Sequence, residues 1–315
     1  MFLGVDSGGT KTAFILISSS GEIIATHNEA TSYYLEIGLE TSKRVISRGL
    51  MALCAKAAIT PEKITYSFFG LPAYGEDRQA TQLLDALPEG VLSKTQYSCG
   101  NDMVCGWAGS LGGLDGINIV AGTGSIGYGE YKGNSARAGG WSELIGDEGS
   151  GYWIAGRGLA LFSRMADGRA KKGPLFDIIM DKLRLRDPLD LVGLIHGDWN
   201  GDRSKIAGLS KYVNEAANLG DGAALDIFRA AGKELAQVVD VTRINLSWPD
   251  GEFVPVSYSG GVFAAGDMIL GPLKEHLSDK YSHYDLLPPA FSPVIGAALY
   301  AAKSVGVTLP MHSLT

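Results

Sequence analysis

Leu3-Gly4-Val5-Asp6-Ser7-Gly8-Gly9-Thr10-Lys11-Thr12, at the start of the chain, is an apolar strand that ends in a carboxylate, two glycines and a threonine. Ala13-Phe14-Ile15-Leu16-Ile17 continues as strand, so the pattern predicts a β-hairpin. Gly8 and Gly9 can adopt positive φ, and such a turn would aim backbone N–H groups and the Thr10 hydroxyl at an oligophosphate. The spacing differs from those of the P-loop and the dinucleotide-binding turn, which both lead into a helix. From these residues alone, an ordinary Gly-Gly hairpin is an equal alternative.

A second segment repeats this plan of strand, turn and strand. Residues 117–131 run through Ala121-Gly122-Thr123-Gly124-Ser125, where two glycines flank a threonine. The repetition suggests a duplicated fold in which two turns hold one polyphosphate from opposite sides of a cleft. A third glycine pair, Gly260-Gly261, follows the strand-like residues 253–258 and precedes a helical pattern that starts near Ala264. Such a junction can lie beneath a nucleoside, although an ordinary turn between strand and helix is the default interpretation of this element by itself.

Length and charge restrict the class of protein. A chain of 315 residues exceeds the usual size of a single hydrophobic core, so two domains are expected. The net charge of −7 and the lack of a lysine- or arginine-rich run argue against nucleic acid or an anionic membrane as partner. No stretch approaches about 18 uninterrupted apolar residues, and the N-terminus lacks the segments of a signal peptide. We therefore expect a cytoplasmic protein.

The three cysteines, Cys54, Cys99 and Cys105, form an odd count without a disulfide framework. Reduced thiols fit a cytosolic protein. Cys99 and Cys105 are close in sequence, but neither a C-x-x-C pair nor a nearby histidine completes a zinc site. We interpret all three as structural or incidental thiols, because free cysteine often behaves as a small buried hydrophobe.

The periodicity of apolar residues predicts a mixed α/β structure. The expected strands lie near residues 2–6, 12–18, 21–27, 64–71 and 96–98. The expected helices lie over about 39–58, 77–87, 209–217, 223–241 and 293–303, the last of them packing back on the first lobe. Residues 149–246 as a whole are expected to be rich in helix.

Three motifs, in this order, resemble those of a known superfamily, that of sugar kinases, actin and the heat-shock chaperone ATPases. They are Asp6-Ser7-Gly8-Gly9-Thr10, Ala121-Gly122-Thr123-Gly124-Ser125 and the most diagnostic stretch, Gly139-Gly140-Trp141-Ser142-Glu143-Leu144-Ile145-Gly146-Asp147-Glu148-Gly149-Ser150-Gly151-Tyr152-Trp153-Ile154-Ala155. Within the superfamily, the chain most closely resembles the N-acetylglucosamine kinase and BadF/BadG-type ATPase family, over essentially its whole length. It lacks the cysteine-rich zinc loop of the ROK-type kinases.

This resemblance implies an α/β fold of two actin-like (ribonuclease H-like) lobes, with mixed sheets flanked by helices and an interdomain cleft for nucleotide and sugar. The N-terminal lobe would comprise residues 1–115, joined by a C-terminal helix over about 293–306. The C-terminal lobe would comprise residues 116–292 and carry a helical insertion. ATP and an amino sugar would be the partners, without nucleic acid or membrane, and a homodimer is the expected assembly.

The resemblance also implies where nucleotide and metal bind. Asp6 would hold Mg²⁺ through water, next to the phosphates of ATP. Thr10 and Thr123 would contact those phosphates, and the last glycine pair would contact the nucleoside. The full set implied for the nucleotide is Gly8, Gly9, Thr10, Lys11, Gly122, Thr123, Gly124, Ser125, Gly260 and Gly261.

The resemblance implies that Asp102 is the general base, because this residue follows a strand in the order that the family uses, and a carboxylate there can accept the proton of a sugar hydroxyl. From the residues alone, Asn101 or Asp102 is better interpreted as the cap of the helix that starts at Met103. The resemblance reverses this preference, and one residue can do both. Phosphoryl transfer depends mainly on alignment and charge neutralisation, so the base would assist rather than act alone.

Sugar recognition is implied for Asp147, Gly140 and Trp141, in addition to Asp102. Neutral sugars need hydrogen-bond acceptors for their hydroxyls and apolar surface for the ring. The pattern predicts that Asp147 and Glu148 open the helix containing Tyr152-Trp153-Ile154-Ala155, where carboxylates also complement the helix dipole. That dipole effect is the simpler explanation of the two acids.

Tyr33 marks the point where the resemblance weakens. Related N-acetylglucosamine kinases commonly place an asparagine there to contact sugar, and a tyrosine has a different size and hydrogen-bonding geometry. A free 2-amino group on the sugar would favour a carboxylate such as Glu36 or Glu143, whereas an acetamido group would favour an apolar notch with a backbone partner. Hydrophobic packing of Tyr33 and Tyr34 under the loop is an equal alternative.

These implications predict an ATP-dependent kinase for the 6-hydroxyl of N-acetylglucosamine, with domain closure that excludes water. Glucosamine kinase is the nearest alternative. An activator-type ATPase that serves an electron-transfer partner would need cysteines bridging an iron–sulfur cluster between subunits, and the second glycine-rich region lacks one. A sugar-responsive binding protein without catalysis is disfavoured by the intact Asp6, Asp102 and two phosphate turns.

Overall fold

The computed structural model describes residues 1–310 of the chain. Its contacts divide it into two compact units, of which the first comprises Met1–Asp115 with the chain from Pro288 onward and the second comprises Gly116–Leu287. Each unit contains one five-stranded sheet. Within residues 1–310, none of the helices is both long enough and apolar enough to cross a membrane.

The sheet of the first unit is mixed. Its strands are β1 (Phe2–Ser7), β2 (Lys11–Ile17), β3 (Ile23–Ala30), β4 (Tyr66–Leu71) and β5 (Tyr97–Asn101). They lie in the order β3-β2-β1-β4-β5. β2 pairs antiparallel with both β1 and β3, whereas β4 pairs parallel with β1 and β5 pairs parallel with β4. Because β1, β4 and β5 run in the same direction, their carboxyl ends lie at one edge of the sheet, where ligands bind in open α/β sheets.

The sheet of the second unit has the same topology. Its strands are β6 (Gly116–Ala121), β7 (Ser125–Tyr131), β8 (Asn134–Gly139), β9 (Val254–Ser259) and β10 (Tyr284–Leu287). They lie in the order β10-β9-β6-β7-β8, again with an antiparallel hairpin and parallel additions on the other side. The duplicated plan of strand, turn and strand is therefore confirmed, as is the α/β class with mixed sheets.

Two strands of the second sheet were outside the elements that the sequence predicts. β8 reads Asn-Ser-Ala-Arg-Ala-Gly and β10 has four residues, so neither shows an alternating apolar face. Both lie at the edges of the sheet. An edge strand buries little side-chain surface, which leaves only weak periodicity in the sequence.

The first four helices belong to the first unit. They are α1 (Tyr34–Ile37), α2 (Leu39–Lys56), α3 (Arg78–Asp85) and α4 (Met103–Leu111). α2 buries Val45, Ile46, Leu50 and Leu53, whose three- and four-residue spacing places them on one face. The core formed with the sheet includes Leu3, Val5, Phe14 and Phe69.

The second unit is rich in helix, as predicted. Its helices are α5 (Gly151–Ala166), α6 (Pro174–Lys182), α7 (Asp190–Gly193), α8 (Arg203–Ala207), α9 (Ser210–Asn218), α10 (Gly222–Asn245) and α11 (Asp267–Lys280). The helix expected to start near Ala264 is a 3₁₀ turn over Gly261–Ala265, and α11 begins only after it. A separate core joins α5, α6, α9 and α10 to the sheet, including the stacked rings of Phe162 and Phe176.

The last helix, α12 (Pro293–Ser304), packs against β1 and α4 of the first unit. Proline at its first turn fits the helix start, and Ala297, Ala298, Ala301 and Ala302 are buried. These small side chains let the helix lie close to the sheet. The segment before it is tied to α4, because the N–H groups of residues 290 and 291 donate to the carbonyls of residues 110 and 109.

Candidate active site

The first turn (residues 8–11) connects β1 to β2 in the first unit. It is closed by the Gly8 N–H, which donates to the Lys11 carbonyl at 2.9 Å. The expectation of positive φ at Gly8 and Gly9 is wrong, because neither is among the positive-φ glycines. A Cβ on Gly9 would find nothing within 4 Å, and one on Gly8 would meet only the Lys11 carbonyl at 3.9 Å. The value of these glycines is therefore the open space that lets a ligand approach the backbone.

A buried network of hydroxyls holds the base of the first turn. The Ser7 Oγ lies 2.6 Å from Ser32 Oγ and 3.2 Å from Thr12 Oγ1. Thr31 Oγ1 donates to the Gly8 carbonyl at 2.8 Å and accepts from the Tyr33 N–H at 3.0 Å. The turn and the Tyr33 loop are therefore one connected structure.

Asp6 and Asp102 lie at the same edge of the first sheet. Asp6 stands near the carboxyl end of β1, and Asp102 follows β5, two strands away in the parallel part of the sheet. Burial, and then the charge of Asp6, raise the pKa of Asp102 to about 7. Burial raises the pKa of Asp6 to about 6, although the Lys11 ammonium opposes this shift. Two carboxyls with raised pKa values at one sheet edge are a candidate reactive centre.

Asn101, rather than Asp102, caps helix α4. Its Oδ1 accepts from the Met103 N–H at 3.1 Å, and its amide donates to the Tyr74 carbonyl at 3.1 Å. Of the two residues that the sequence offered as caps, the neutral one serves the helix. The Asp102 carboxylate makes no side-chain cap hydrogen bond of its own.

Cys105 and Cys99 lie near this edge as unreactive thiols. Cys105 is fully buried, its Sγ lies 3.7 Å from the Val5 carbonyl, and burial raises its pKa well above the ordinary thiol value. Burial likewise raises the pKa of Cys99, whose Sγ contacts the Leu84 carbonyl at 3.8 Å. Nucleophilic and metal-binding cysteines need an accessible thiolate. Among residues 1–310, no three His, Cys, Asp or Glu side chains form a group that could hold a metal ion by themselves.

The second turn (residues 122–125) connects β6 to β7 in the second unit. Its Gly122 N–H donates to the Gly124 carbonyl at 2.9 Å. The start of α5 is hydrogen-bonded to this turn, because the N–H groups of Gly151 and Tyr152 donate to the carbonyls of Gly122 and Thr123 at 2.8 and 3.2 Å. Ser125 Oγ completes this clamp by donating to the Glu148 carbonyl at 2.7 Å.

Asp147 lies in the loop before α5, not in the helix. α5 begins at Gly151 and is capped by Ser150, whose Oγ accepts from the Trp153 N–H at 3.1 Å. The prediction that Asp147 and Glu148 open this helix is therefore wrong. Asp147 has a left-handed backbone with φ of 57°, which ends any helical path at this residue and turns its carboxylate inward.

An arginine from α8 pairs with two acids of this loop. Arg203 Nη2 donates to Asp147 Oδ2 at 2.6 Å, and its Nε lies 3.1 Å from Glu143 Oε2. The Asp147 side chain is only 4% exposed, whereas that of Arg203 is 39% exposed. Burial raises the pKa of Asp147, and the Arg203 charge opposes that shift.

The second turn packs directly against this ion pair. A Cβ on Gly124 would be 2.5 Å from Asp147 Oδ2 and 2.6 Å from Arg203 Nη2. A side chain at position 124 would therefore have to displace the ends of these two side chains. The structure therefore brings the predicted phosphate turn and the predicted sugar-binding carboxylate into contact.

Gly140 and Trp141 begin the loop that leads to Asp147. Gly140 has φ of 71°, and its carbonyl accepts from Arg137 Nη2 at 2.9 Å. Trp141 is 68% exposed, and Leu144 and Ile145 beyond it are exposed as well. The loop therefore presents apolar surface beside a polar carboxylate, which is the combination that a sugar ring needs.

The third glycine pair also lies beside the second turn. Gly260 has φ of 107°, and a Cβ there would be 2.4 Å from the Ala121 carbonyl, so only glycine fits. Gly261 then lines a cavity of about 120 Å³ together with Ile154, Ser210, Lys211, Asn214, Phe228, Val262, Ala264 and Ala265. This cavity mixes an apolar floor with polar side chains from α9.

Several residues of the second unit were missed by sequence reasoning. Arg203 is 56 positions from its partner Asp147, and Lys211 and Asn214 lie on α9 without any motif around them. Glu143 was considered only as a partner for an amino group. The helical segment between residues 149 and 246 carries no glycine signature, so no signal in a single sequence marks these side chains as parts of a site.

The chain matches a family described as the BadF/BadG/BcrA/BcrD ATPase family over residues 3–301. It is 30% identical to an N-acetyl-D-glucosamine kinase of Dictyostelium discoideum, over 96% of this chain and 98% of that protein. It is 28% identical to an N-acetylmuramic acid/N-acetylglucosamine kinase of Clostridium acetobutylicum, over 95% of this chain and 97% of that protein.

Solved structures are also similar across nearly the whole chain, and the structure described next is an example. It is that of a candidate N-acetylglucosamine kinase of Chromobacterium violaceum, with a TM-score of 0.73 and 27% identity. The similarity covers 94% of this chain and 97% of that one. Both sheets and both glycine turns therefore fall inside a fold that occurs in that protein.

Proposed function

We propose that this chain phosphorylates the 6-hydroxyl of N-acetylglucosamine, with Asp102 as general base. The chain belongs to the BadF/BadG/BcrA/BcrD ATPase family and is an ATP-dependent amino-sugar kinase. The observation that carries this proposal is the pair Asp6 and Asp102 at the carboxyl edge of the first sheet. The pKa of Asp102, raised to about 7, suits a group that must take a proton near neutral pH. The Asp102 carboxylate makes no side-chain cap hydrogen bond to α4, so we take it as available to the sugar hydroxyl.

The residues near Asp6 fit a magnesium ion. Mg²⁺ is usually held by one or two carboxylates, several waters and the substrate phosphates rather than by a complete protein cage. Asp6 offers a carboxylate beside the first turn, and it interacts electrostatically with the second carboxylate, Asp102. When bound there, Mg²⁺ would supply charge neutralisation for the phosphates. Asp6 would orient its water shell, and the first turn would offer backbone N–H groups to the phosphates.

We assign nucleotide binding to the two turns and to the third glycine pair. The first turn is open around Gly8 and Gly9, and Thr10 and Lys11 are exposed, so a phosphate can approach the backbone. Thr123 and Ser125 would contribute from the second turn. The cavity beside Gly261 would border the nucleoside, with Lys211 and Asn214 as polar partners.

The geometry of the second unit favours an acetamido group over a free amine at C2. Glu143, which beside Glu36 is one of the two carboxylates expected to recognise an ammonium, is already paired with Arg203. Asp147 would accept hydroxyl hydrogen bonds, and Gly140 with Trp141 would border the ring. Tyr33, tied to the first turn through Thr31, is assigned to sugar contact as well.

We further propose that the two units are the two lobes of the kinase. Residues 1–115 with the helix over about 293–306 would be the N-terminal actin-like lobe, and residues 116–292 the C-terminal lobe with its helical insertion. The cytoplasm as compartment and a homodimer as assembly remain predictions of the sequence.

The test is ADP release with Mg²⁺ and ATP across a panel of N-acetylglucosamine, glucosamine, N-acetylmannosamine, N-acetylmuramic acid and glucose. We expect N-acetylglucosamine to give the highest kcat/KM, and phosphorus-coupled NMR of the product to place the phosphate on O6. A highest value for glucosamine would overturn the assignment at C2. Phosphate on another oxygen would overturn the regiochemistry, and ADP release without sugar dependence would support an activator-type ATPase.

A further inference from the structure

Arg203 lies in the candidate sugar site although no motif points to it. It is the first residue of α8, a helix capped by Asp202, whose Oδ1 accepts from the Lys205 N–H at 2.9 Å. Ile206 of the same helix is buried in a small apolar cluster with Ala155 and Leu209. The guanidinium is therefore carried by a packed element rather than by a free loop.

The contacts of Arg203 are both with carboxylates. Its Nη2 to Asp147 Oδ2 distance is 2.6 Å, and its Nε to Glu143 Oε2 distance is 3.1 Å. Asp147 is almost wholly buried, and a buried carboxylate stays ionised only with a compensating cation or several hydrogen-bond donors. The arginine is the cation paired with it in this unit.

The same guanidinium also restrains the shape of the loop. Asp147 holds a left-handed backbone that a non-glycine residue seldom adopts, and such strain persists only where the surroundings enforce it. Arg203 fixes the carboxylate on one side, and the second turn closes on it at Gly124. The orientation of Asp147 is thereby set by α8 and by the turn together.

We propose that Arg203 is a positioning residue for sugar recognition, which holds Asp147 ionised and aimed so that the carboxylate can accept a hydrogen bond from a sugar hydroxyl. The proposal rests on the proposed function, because it takes Asp147 as a sugar contact. Both contacts of Arg203 are with carboxylates, which favours this role over direct contact with the transferred phosphoryl group. Arg203 therefore acts on the sugar rather than on ATP.

The charged groups around Asp147 give a second way to test the role of Arg203, through the pH dependence of sugar binding. The charged groups that face Asp147 are Arg203 and Glu143, and the backbone of Ser125 contributes a hydrogen bond. Without the guanidinium, burial and the Glu143 charge would both act to keep Asp147 protonated. Sugar binding by an Arg203 variant should therefore weaken more steeply than in wild type as the pH falls below neutrality.

The experiment compares Arg203→Met, Arg203→Lys, Asp147→Asn and the double variant Arg203→Met/Asp147→Asn in steady-state kinetics. Arg229→Met is the matched control, because Arg229 forms an exposed pair with Asp226 on α10 of the same unit. For Arg203→Met we expect the sugar KM to rise roughly 10- to 100-fold and the ATP KM to stay within about threefold. Arg203→Lys should recover part of the loss, and Arg203→Met should add little to Asp147→Asn.

Four outcomes would overturn the proposal. A sugar KM within about twofold of wild type in Arg203→Met would show that the arginine does not position Asp147. A raised ATP KM with an unchanged sugar KM would assign Arg203 to the nucleotide. Independent, multiplicative effects of the two single substitutions would separate Arg203 from Asp147. An identical pH profile of sugar kcat/KM in wild type and Arg203→Met would remove the electrostatic part of the argument.

Separate controls distinguish a folding defect from a failure of the proposed function. Thermal melting of each variant identifies a loss that is only structural. If Arg203→Met does not fold, Arg203→Lys decides, because it keeps the charge but loses the planar, two-sided contact. A wild-type sugar KM in that variant overturns the proposal, and a raised one with an unchanged ATP KM supports it. A wild-type enzyme without sugar-dependent ADP release would instead refute the proposed function, and this inference with it.

Discussion

The two glycine turns share one sequence plan but differ in what surrounds their backbone. At Gly9 of the first turn, a Cβ would find no atom within 4 Å. At Gly124 of the second turn, a Cβ would collide with the ion pair of Asp147 and Arg203. Glycine thus leaves room for a ligand in the first turn and room for the protein's own charged groups in the second. A similar motif therefore meets two different physical requirements.

The carboxylates beside the two turns differ in the same way. In the first unit, Asp102 and Asp6 have pKa values raised to about 7 and about 6, chiefly by burial. In the second unit, Asp147 is buried too, but Arg203 opposes the rise of its pKa. The first arrangement suits proton transfer and a divalent cation, and the second suits a fixed acceptor for hydroxyl groups.

The largest expected effect is that of Asp102→Asn on catalysis. An amide cannot accept the hydroxyl proton, so kcat should fall roughly 100- to 10,000-fold while the ATP affinity is retained. Steady-state ADP release and nucleotide binding by calorimetry measure the two quantities. Asp226→Asn, at an exposed pair in the second unit, is the control. Turnover near the wild-type rate would exclude Asp102 as the essential base.

Gly124→Ala tests the packed turn. The added methyl must displace Asp147 or Arg203, so we expect a loss of about 1–3 kcal/mol in the free energy of unfolding and a raised sugar KM. Gly122→Ala is the matched control, because a Cβ there meets nothing within 4 Å. Denaturant unfolding and sugar kinetics check both variants. Equal stability of the two would contradict the close approach at position 124.

The raised pKa of Asp102 predicts how stability depends on pH. The folded-state pKa of about 7 exceeds the ordinary value of 3.8, so the protein loses stability as the pH rises through 7. Asp102→Asn removes this loss. In the absence of Mg²⁺ and substrates, the variant should match wild type near pH 4 and exceed its unfolding free energy by on the order of 4 kcal/mol near pH 8. Equal stabilities at both pH values would show that Asp102 is not destabilised by its surroundings.

The smallest expected effect on stability is that of Gly9→Ala in the open turn. The backbone at Gly9 does not need positive φ and a Cβ has free space, so the unfolding free energy should change by less than about 0.5 kcal/mol. The ATP KM should nevertheless rise several-fold, because the added methyl group would occupy the space in which we propose that the phosphates of ATP bind. An unchanged ATP KM would separate the first turn from the nucleotide.

Local patterns predicted the long and strongly apolar elements. The first hairpin, α2, α10 and the closing helix α12 were expected close to their observed bounds, since each buries a periodic apolar face. The edge strands β8 and β10 were not predicted, because an edge strand buries too little surface to require an alternating pattern of apolar residues. Asp147 was misplaced in a helix because acids are common in first helical turns, and only the positive φ of this residue shows that the chain turns there.

For the candidate site, the sequence marked the residues whose type carries chemistry, namely Asp6, Asp102, Asp147 and the three glycine segments. It left open whether Asn101 or Asp102 capped α4, because both residues can do so. The structure assigns the cap to Asn101. It also adds Arg203, whose pairing with Asp147 spans 56 positions and leaves no local signal.

The sequence by itself determined the duplicated plan of strand, glycine turn and strand, since strand period and turn chemistry depend on neighbours along the chain. Only the tertiary structure decided which glycine has free space around it and which is packed against other residues. It also decided which buried carboxylate is paired with a cation. Those properties depend on groups that are distant in sequence and close in space, such as Arg203 beside Gly124. Burial and charge pairing are set by folding, and they in turn set the reactivity of each acid.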